Sequence, residues 1–218
     1  MTSAVPIDMV SDVVCPWCFI GKRRLEKAIA LRSDIPVEVR FRPYFLNPWV
    51  PREGISRHEY LTTKFGSPEH YRAIAGRVAQ AAAAEGLTYN LDQIKRQPNT
   101  LDCHRLILWA GERAARMKQR LMELYFAEGA DLTDRDVLVT AAAACGLGAP
   151  RVRERLGSDE DVERITQEAD SAKEAGIDGV PCFIFGGHIA VPGAHAPEHL
   201  AQAIARAANE QTEQQTAG

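Results

Sequence analysis

Residues 15–18 read Cys15-Pro16-Trp17-Cys18, and what flanks them decides the architecture of the chain. Before them, Val5, Ile7 and Met9 alternate along an extended run, and Val13-Val14 lead into Cys15. That period of two predicts a strand running into a loop. After them, Leu25, Ala28 and Ile29 form the apolar stripe of a helix. Pro16 suits the first helical position, where its missing N–H leaves nothing unpaired. Two residues between the cysteines, wrapped at a helix start, bring both sulfurs within bonding reach. A thiolate that attacks a disulfide forms a mixed disulfide, and a second thiol close by resolves it. The free N–H groups and partial positive charge of a helix start favour thiolate at Cys15. We therefore expect a Cys15 pKa below that of free cysteine. Lys22, Arg23, Arg24 and Lys27 add positive charge on a solvated face, where screening leaves it little effect.

The competing reading of a close cysteine pair is half of a zinc site. Structural zinc wants a second close pair of ligands. The other cysteines, Cys103, Cys145 and Cys182, stand alone, and only His104 neighbours one of them. Strand, CxxC and helix in that order fit a redox motif better, so no metal is expected. Five cysteines in 218 residues are also too scattered for a disulfide scaffold, and the odd number leaves one unpaired. A net charge of -3 from 26 basic and 29 acidic residues argues against nucleic-acid or membrane-surface binding as the main role. The first eight residues lack a basic region and a continuous apolar run, so no secretory signal is expected. No window approaches the roughly 18 apolar residues of a membrane span. The expected setting is the reducing cytoplasm, where such a pair is catalytic or metal-binding rather than structural.

Working outward, Val37 to Arg42 alternates apolar and charged residues and predicts a half-buried strand. From about Ser56 to Gly176 the periods are helical, with almost no strand signal. Ser56 to Glu59 is a capping-box pattern, and Ser67-Pro68 places a cap before a helix-starting proline. Asn99-Thr100 could cap a further helix, Ser158 to Asp161 resembles another cap, and Gly129, Gly146 and Gly176 read as stops. Strand signals return at Val180-Pro181-Cys182-Phe183-Ile184-Phe185. Gly186-Gly187 then predicts a hairpin into Ile189-Ala190-Val191. Proline in such a run implies a sheet edge, a strand start or a cis bond. A last helix starts at Pro197, and the polar tail from Asn209 is expected to fray. The order is βαβ, a helical block, then ββα, in the α/β class.

These motifs together resemble the DsbA-like branch of the thioredoxin superfamily. The resemblance is nearest to its signal-less FrnE-type group, related to 2-hydroxychromene-2-carboxylate isomerases and kappa-class glutathione transferases. It runs from about Ile7 to Ile204. Cys15-Pro16-Trp17-Cys18-Phe19-Ile20-Gly21, Phe45-Leu46-Asn47-Pro48 and Asn99-Thr100 with His104-Arg105 carry it, as do Tyr125-Phe126 with Glu128-Gly129 and Gly179-Val180-Pro181 with Phe183. It implies a thioredoxin-like fold interrupted by a helical domain; with the element order above, the fold takes 1–55 and 177–210, the helical insertion 56–176, and 211–218 is a frayed tail. It also implies a cis Pro181 facing the cysteines. The isomerase and transferase relatives carry serine at the first motif cysteine, and serine cannot cycle through a disulfide. They also hold the glutamyl end of glutathione near the segment where this chain has Gly193-Ala194-His195, using small polar and acidic residues. Both departures count against a glutathione-dependent activity on small aromatics.

The expected function is thus dithiol–disulfide exchange, with Cys15 as nucleophile and Cys18 as resolving thiol. Pro16, Trp17, Val180 and Pro181 position the substrate. No bound cofactor is required, and glutathione or a protein thiol could be the exchange partner. The alternatives are a glutathione-dependent isomerase or transferase, and a non-catalytic holdase binding unfolded peptides; either monomer or homodimer is compatible. Cys182 is a third thiol beside Pro181, read first as a small buried hydrophobe and second as a redox accessory. Cys103 and Cys145 read as core. His104 could shuttle protons, though packing or hydrogen bonding fits it better. Asn99 could reach the cleft between the subdomains or cap a helix. Tyr44, Phe45, Trp49 and Tyr60 are candidates for cleft lining or core.

Overall fold

The structure, a computed structural model, describes residues 4–216. Strand β1 (Val5–Ser11) leads through a short loop into α1 (Pro16–Leu31), and β2 (Val37–Pro43) follows. Val5, Ile7 and Met9 are all buried because β1 is flanked on both sides, by β2 in parallel and by a later strand in antiparallel. Glu38 and Arg40 of β2 are exposed, as expected for a half-buried edge, and Arg42 pairs with Asp8 of β1 at 2.8 Å.

Between β2 and the C-terminal strands lies the helical block. Strand β3 (Ile55–Ser56) opens it, followed by α2 (Arg57–Phe65), α3 (Pro68–Ala84) and strand β4 (Arg96–Gln97). Then come α4 (Leu101–Trp109), α5 (Ala114–Phe126), α6 (Arg135–Ala144), α7 (Ala149–Leu156) and α8 (Val162–Glu174). Ser56 and Ser67 cap α2 and α3, their hydroxyls accepting from the N–H groups of Glu59 and His70. The β3–β4 ribbon was not expected, because two-residue strands are too short to carry a period. The cap expected over Ser158 to Asp161 is also different. Asp161 takes the N-cap position of α8 in a left-handed conformation, φ 60°, without capping. Its carboxylate instead accepts from Trp109 Nε1 at 2.8 Å and meets Arg155 at 3.2 Å.

Strands β5 (Cys182–Phe185) and β6 (Ile189–Pro192) form the hairpin around Gly186-Gly187 and complete a sheet of order β2-β1-β5-β6. Helix α9 (Pro197–Thr216) packs along α1 and touches β1, β5 and β6. It continues through Thr216, well into the segment 211–218 expected to fray. Residues 217–218 lie outside the described residues.

This is the expected α/β, thioredoxin-like order of elements. The helical block and the sheet share one apolar core: Phe19 of α1 stacks on Phe126 of α5, centroids 5.4 Å apart, and Met117 and Leu121 join the same cluster. Arg105 of α4 is fully buried and tethers α4 to the segment ahead of α8. Its guanidinium donates to the carbonyls of Arg155, Ser158 and Glu160 and to Asp102 Oδ1. A buried guanidinium is tolerable only with its donors satisfied in this way.

Candidate active site

Helix α1 starts as its sequence requires. Cys15 is the N-cap residue with extended backbone, Pro16 follows at the first helical position, and the Cys15 carbonyl accepts from the Cys18 and Phe19 N–H groups at 3.0 and 3.2 Å. Trp17 is 39% exposed, so the two-residue spacer presents an aromatic face outward. Cys18 is fully buried behind Cys15.

The two thiols are unlike. The Cys18 thiol, aided by the nearby Cys18 and Trp17 N–H groups, holds the Cys15 thiol below its usual range, against burial and the Asp12 carboxylate. Burial, followed by the neighbouring Cys15, pushes Cys18 well above the ordinary value. The depressed Cys15 follows the direction the helix start implies, but its partner thiol is the leading cause. Charge at Cys15 and a proton at Cys18 is the division of labour that a nucleophile and a resolving thiol need.

Across the site, the Val180–Pro181 peptide bond is cis, and the Cys15 thiol donates to the Val180 carbonyl at 3.5 Å. The Pro181 carbonyl accepts from Gly193 N–H at 2.7 Å, and Arg24 of α1 donates to the Ala194 carbonyl at 2.6 Å while pairing with Glu85. These contacts lock the 179–181 and 193–195 loops against α1. Gly21 lets them approach: a Cβ there would lie 2.9 Å from Pro181 Cγ and 3.2 Å from Phe183 Cζ. Neither ring is a flexible chain end. Gly21→Ala is therefore expected to destabilise the protein by about 1–3 kcal/mol through overpacking. Denaturant melts check this, and a midpoint at or above that of the parent protein contradicts it.

A cavity of about 280 Å³ opens beside the nucleophile, walled by Cys15, Trp17, Tyr60, Lys64, Tyr125 and Val180. Arg57 reaches its edge between the rings of Tyr60 and Tyr71, 5.1 Å from each centroid, and donates to Gln97 and Tyr125. Lys64 donates to Asn47 Oδ1. Among the described residues neither cation meets a carboxylate; their partners are amide oxygens, a phenol and aromatic faces. Tyr60 thus lines the cavity as one of the four aromatic candidates. Trp49 stacks on it from outside, Phe45 meets the His104 ring edge-on, and Tyr44 packs elsewhere. Sequence reasoning missed Arg57 and Lys64, since nothing in the local pattern distinguishes them from surface cations on an amphipathic helix.

The accessory candidates separate. Asn99 Oδ1 accepts from the N–H of Leu101, the first residue of α4, at 3.0 Å and its amide donates to the Val50 carbonyl at 2.8 Å, so it serves the helix start, ties it to the Val50 loop and is not part of the cavity wall. Thr100 takes the N-cap position of α4 without a side-chain cap. His104 is buried near Asp12, just ahead of the motif. Strand alternation places Phe183 and Phe185 in the core that holds Cys15 and Cys18, and turns Cys182 into a separate cluster with Val10 and Tyr44. Burial pushes the Cys182 thiol up. We expect thiol reagents to spare Cys182 in the native protein and to label it after denaturation. A Cys182 peptide crosslinked to Cys15 or Cys18, found by mass spectrometry after oxidation, would contradict that placement. Cys103 and Cys145 are buried in the main core. Among the described residues no three His, Cys, Asp or Glu side chains gather as a metal-ligand set.

Residues 6–205 match the protein family described as a DSBA-like thioredoxin domain. The crystal structure of the probable DsbA oxidoreductase SCO1869 from Streptomyces coelicolor superposes with a TM-score of 0.85 at 32% identity, over 94% of this chain and 91% of that one. The YwbO protein of Bacillus subtilis (strain 168) is 27% identical over 204 residues, 92% of this chain and 96% of its own length. The cytosolic disulfide reductase DsbM from Pseudomonas aeruginosa, solved with GSH, shares the fold: TM-score 0.60, 16% identity, 96% of this chain and 99% of that one.

Proposed function

The chain belongs to the DSBA-like thioredoxin domain family, and on that premise we propose that it exchanges disulfides through Cys15 and Cys18. The observation that carries this reading is the asymmetry of the pair: Cys15 walls the cavity with its thiolate favoured, and Cys18 waits behind it, buried and protonated. The Cys15 thiolate attacks one sulfur of a substrate disulfide, and the other substrate sulfur leaves as a thiolate. Cys18 then gives up its proton and attacks Cys15 Sγ. The mixed disulfide breaks, the second substrate thiol departs, and Cys15 and Cys18 are joined. Two electrons have passed to the substrate, and the reverse sequence oxidises a dithiol. The motif carries the redox equivalents, so the reaction needs no bound cofactor.

Trp17 and the Val180-Pro181 edge form the surface against which a substrate disulfide lies. Glutathione suits the exchange step because its carboxylates match the two cations, Arg57 and Lys64, that meet none among the described residues. The solved complex of DsbM with GSH on the same fold supports that choice. That relative, a cytosolic disulfide reductase by its description, also supports placing the reaction in the cytoplasm.

Equilibration in graded mixtures of reduced and oxidised glutathione, with acid quench and mass analysis, tests the proposal. Cys15 and Cys18 should lose their two thiols together as one intramolecular disulfide. A pair that stays reduced across the series, or that stops at a glutathione adduct on Cys15, overturns it.

A further inference from the structure

Beneath the motif sits a pair of buried groups that the exchange steps leave unused. Asp12 precedes Cys15 by three residues and is 1% exposed; His104, on α4, is 4% exposed. The Asp12 backbone carbonyl accepts from Cys15 N–H at 3.3 Å, and its Oδ2 accepts from Leu46 N–H at 2.9 Å. Among the described residues Oδ1 has no hydrogen-bond partner in good alignment, and neither has His104 Nε2; the two atoms lie 3.4 Å apart. Among the described residues, His104 is the one cation-capable side chain at ion-pair distance from this carboxylate. A buried carboxylate with an unshared charge is strongly disfavoured, so two such groups facing each other belong together.

We propose that His104 is a positioning residue for the thiol chemistry: paired with Asp12, it weakens the opposition of the carboxylate's negative charge to the Cys15 thiolate. The proposal rests on the reading that Cys15 is the reacting thiol. By turning an Nε2–H toward the carboxylate, His104 draws charge off Oδ1. Burial pushes Asp12 upward, yet His104, the Leu46 N–H and the Thr100 hydroxyl together bring it below the ordinary carboxylate value. Asp12 in turn opposes the thiolate at Cys15. The other groups bearing on Cys15 are Cys18 of α1, Tyr60 and Lys64 of α2, and Lys118 of α5. Lys118 is fully buried, has no hydrogen-bond partner among the described residues and is brought down to about 8, chiefly by burial. It supports the thiolate at longer range but leaves Asp12 Oδ1 unpaired. Tyr44, Cys103 and Tyr125 also feel Asp12, and none of them offers it a cation.

A double-mutant cycle on the reduced full-length protein tests the pair, reading the pH profile of Cys15 alkylation by iodoacetamide. His104→Gln should move the profile to higher pH and slow alkylation below its midpoint by roughly three- to tenfold. Asp12→Asn, nearly isosteric, should move it to lower pH. In the Asp12→Asn background the His104→Gln effect should vanish, since no carboxylate remains to be masked. An unmoved profile in His104→Gln overturns the proposal, as does an equal shift in both backgrounds. If His104→Gln does not fold, Asp12→Asn alone decides: a profile unshifted or moved upward sinks the idea. Alkylation needs no substrate, so loss of insulin reduction with the cycle intact would count against the proposed activity and not against the pair.

Discussion

Cys15→Ser should abolish insulin disulfide reduction, with a loss of roughly a thousandfold or more, to the uncatalysed background. A serine hydroxyl at the cavity wall is not ionised near neutral pH and cannot form the mixed disulfide. The variant should fold normally, because oxygen replaces sulfur at a helix N-cap position that serine itself favours. The wild-type alkylation profile gives the accompanying pH signature. Since Cys15 lies below the usual thiol range, its thiolate persists to lower pH than that of free cysteine, and reactivity falls only as pH drops through that lowered value. A midpoint at or above the free-thiol value would contradict the asymmetry on which the reading rests. The same variant separates the rivals. A holdase that binds unfolded peptides should suppress aggregation equally well without Cys15. A glutathione-dependent isomerase or transferase should survive even in Cys15→Ser/Cys18→Ser, with turnover of a small aromatic substrate.

The second large effect is expected in Cys18→Ser. Attack by Cys15 is untouched, but the mixed disulfide now waits for an external thiol. An intramolecular thiol held beside its target corresponds to a very high effective concentration, so resolution should slow by at least about a hundredfold against millimolar thiol. Mixed disulfides between Cys15 and substrate should accumulate and survive acid quenching for mass analysis. Insulin reduction at the wild-type rate, with no trapped adduct, would show that Cys18 does not resolve. Cys15 walls the cavity and Cys18 does not, so this variant keeps the thiol that meets substrate and removes only the one behind it.

How much of this was legible beforehand differs by element. Val5, Ile7 and Met9 announced β1, and Val37 to Arg42 announced an edge strand, because alternation follows directly from which face of a strand meets the core. The Ser56 and Ser67 caps were legible for an equally local reason: a hydroxyl satisfies the first free N–H groups of the helix it begins. The β3–β4 ribbon was not legible, since its two-residue strands exist only through pairing across forty residues of chain. Nor was the left-handed Asp161, whose carboxylate is claimed by Trp109 and Arg155. The tail from 211 reads as polar, yet α9 runs on to Thr216, helical propensity prevailing over the lack of an apolar stripe.

For the site the division is sharper. Cys15, Pro16, Trp17 and Cys18 are contiguous, and the chemistry of a dithiol at a helix start follows from their spacing alone. That much the chain determined in one dimension. What stands around the pair was decided only by folding. Val180 reaches Cys15 from 165 residues away, and Gly21 makes room for Pro181. Arg57 and Lys64 become cations at a cavity wall, and His104 of α4 comes to face Asp12. Cys182, adjacent to Pro181 in sequence, is turned away because successive side chains of a strand point to opposite faces. Reactivity at a thiol depends on the charges and donors within a few ångströms, and when those come from distant segments, only the packing of the shared core brings them there.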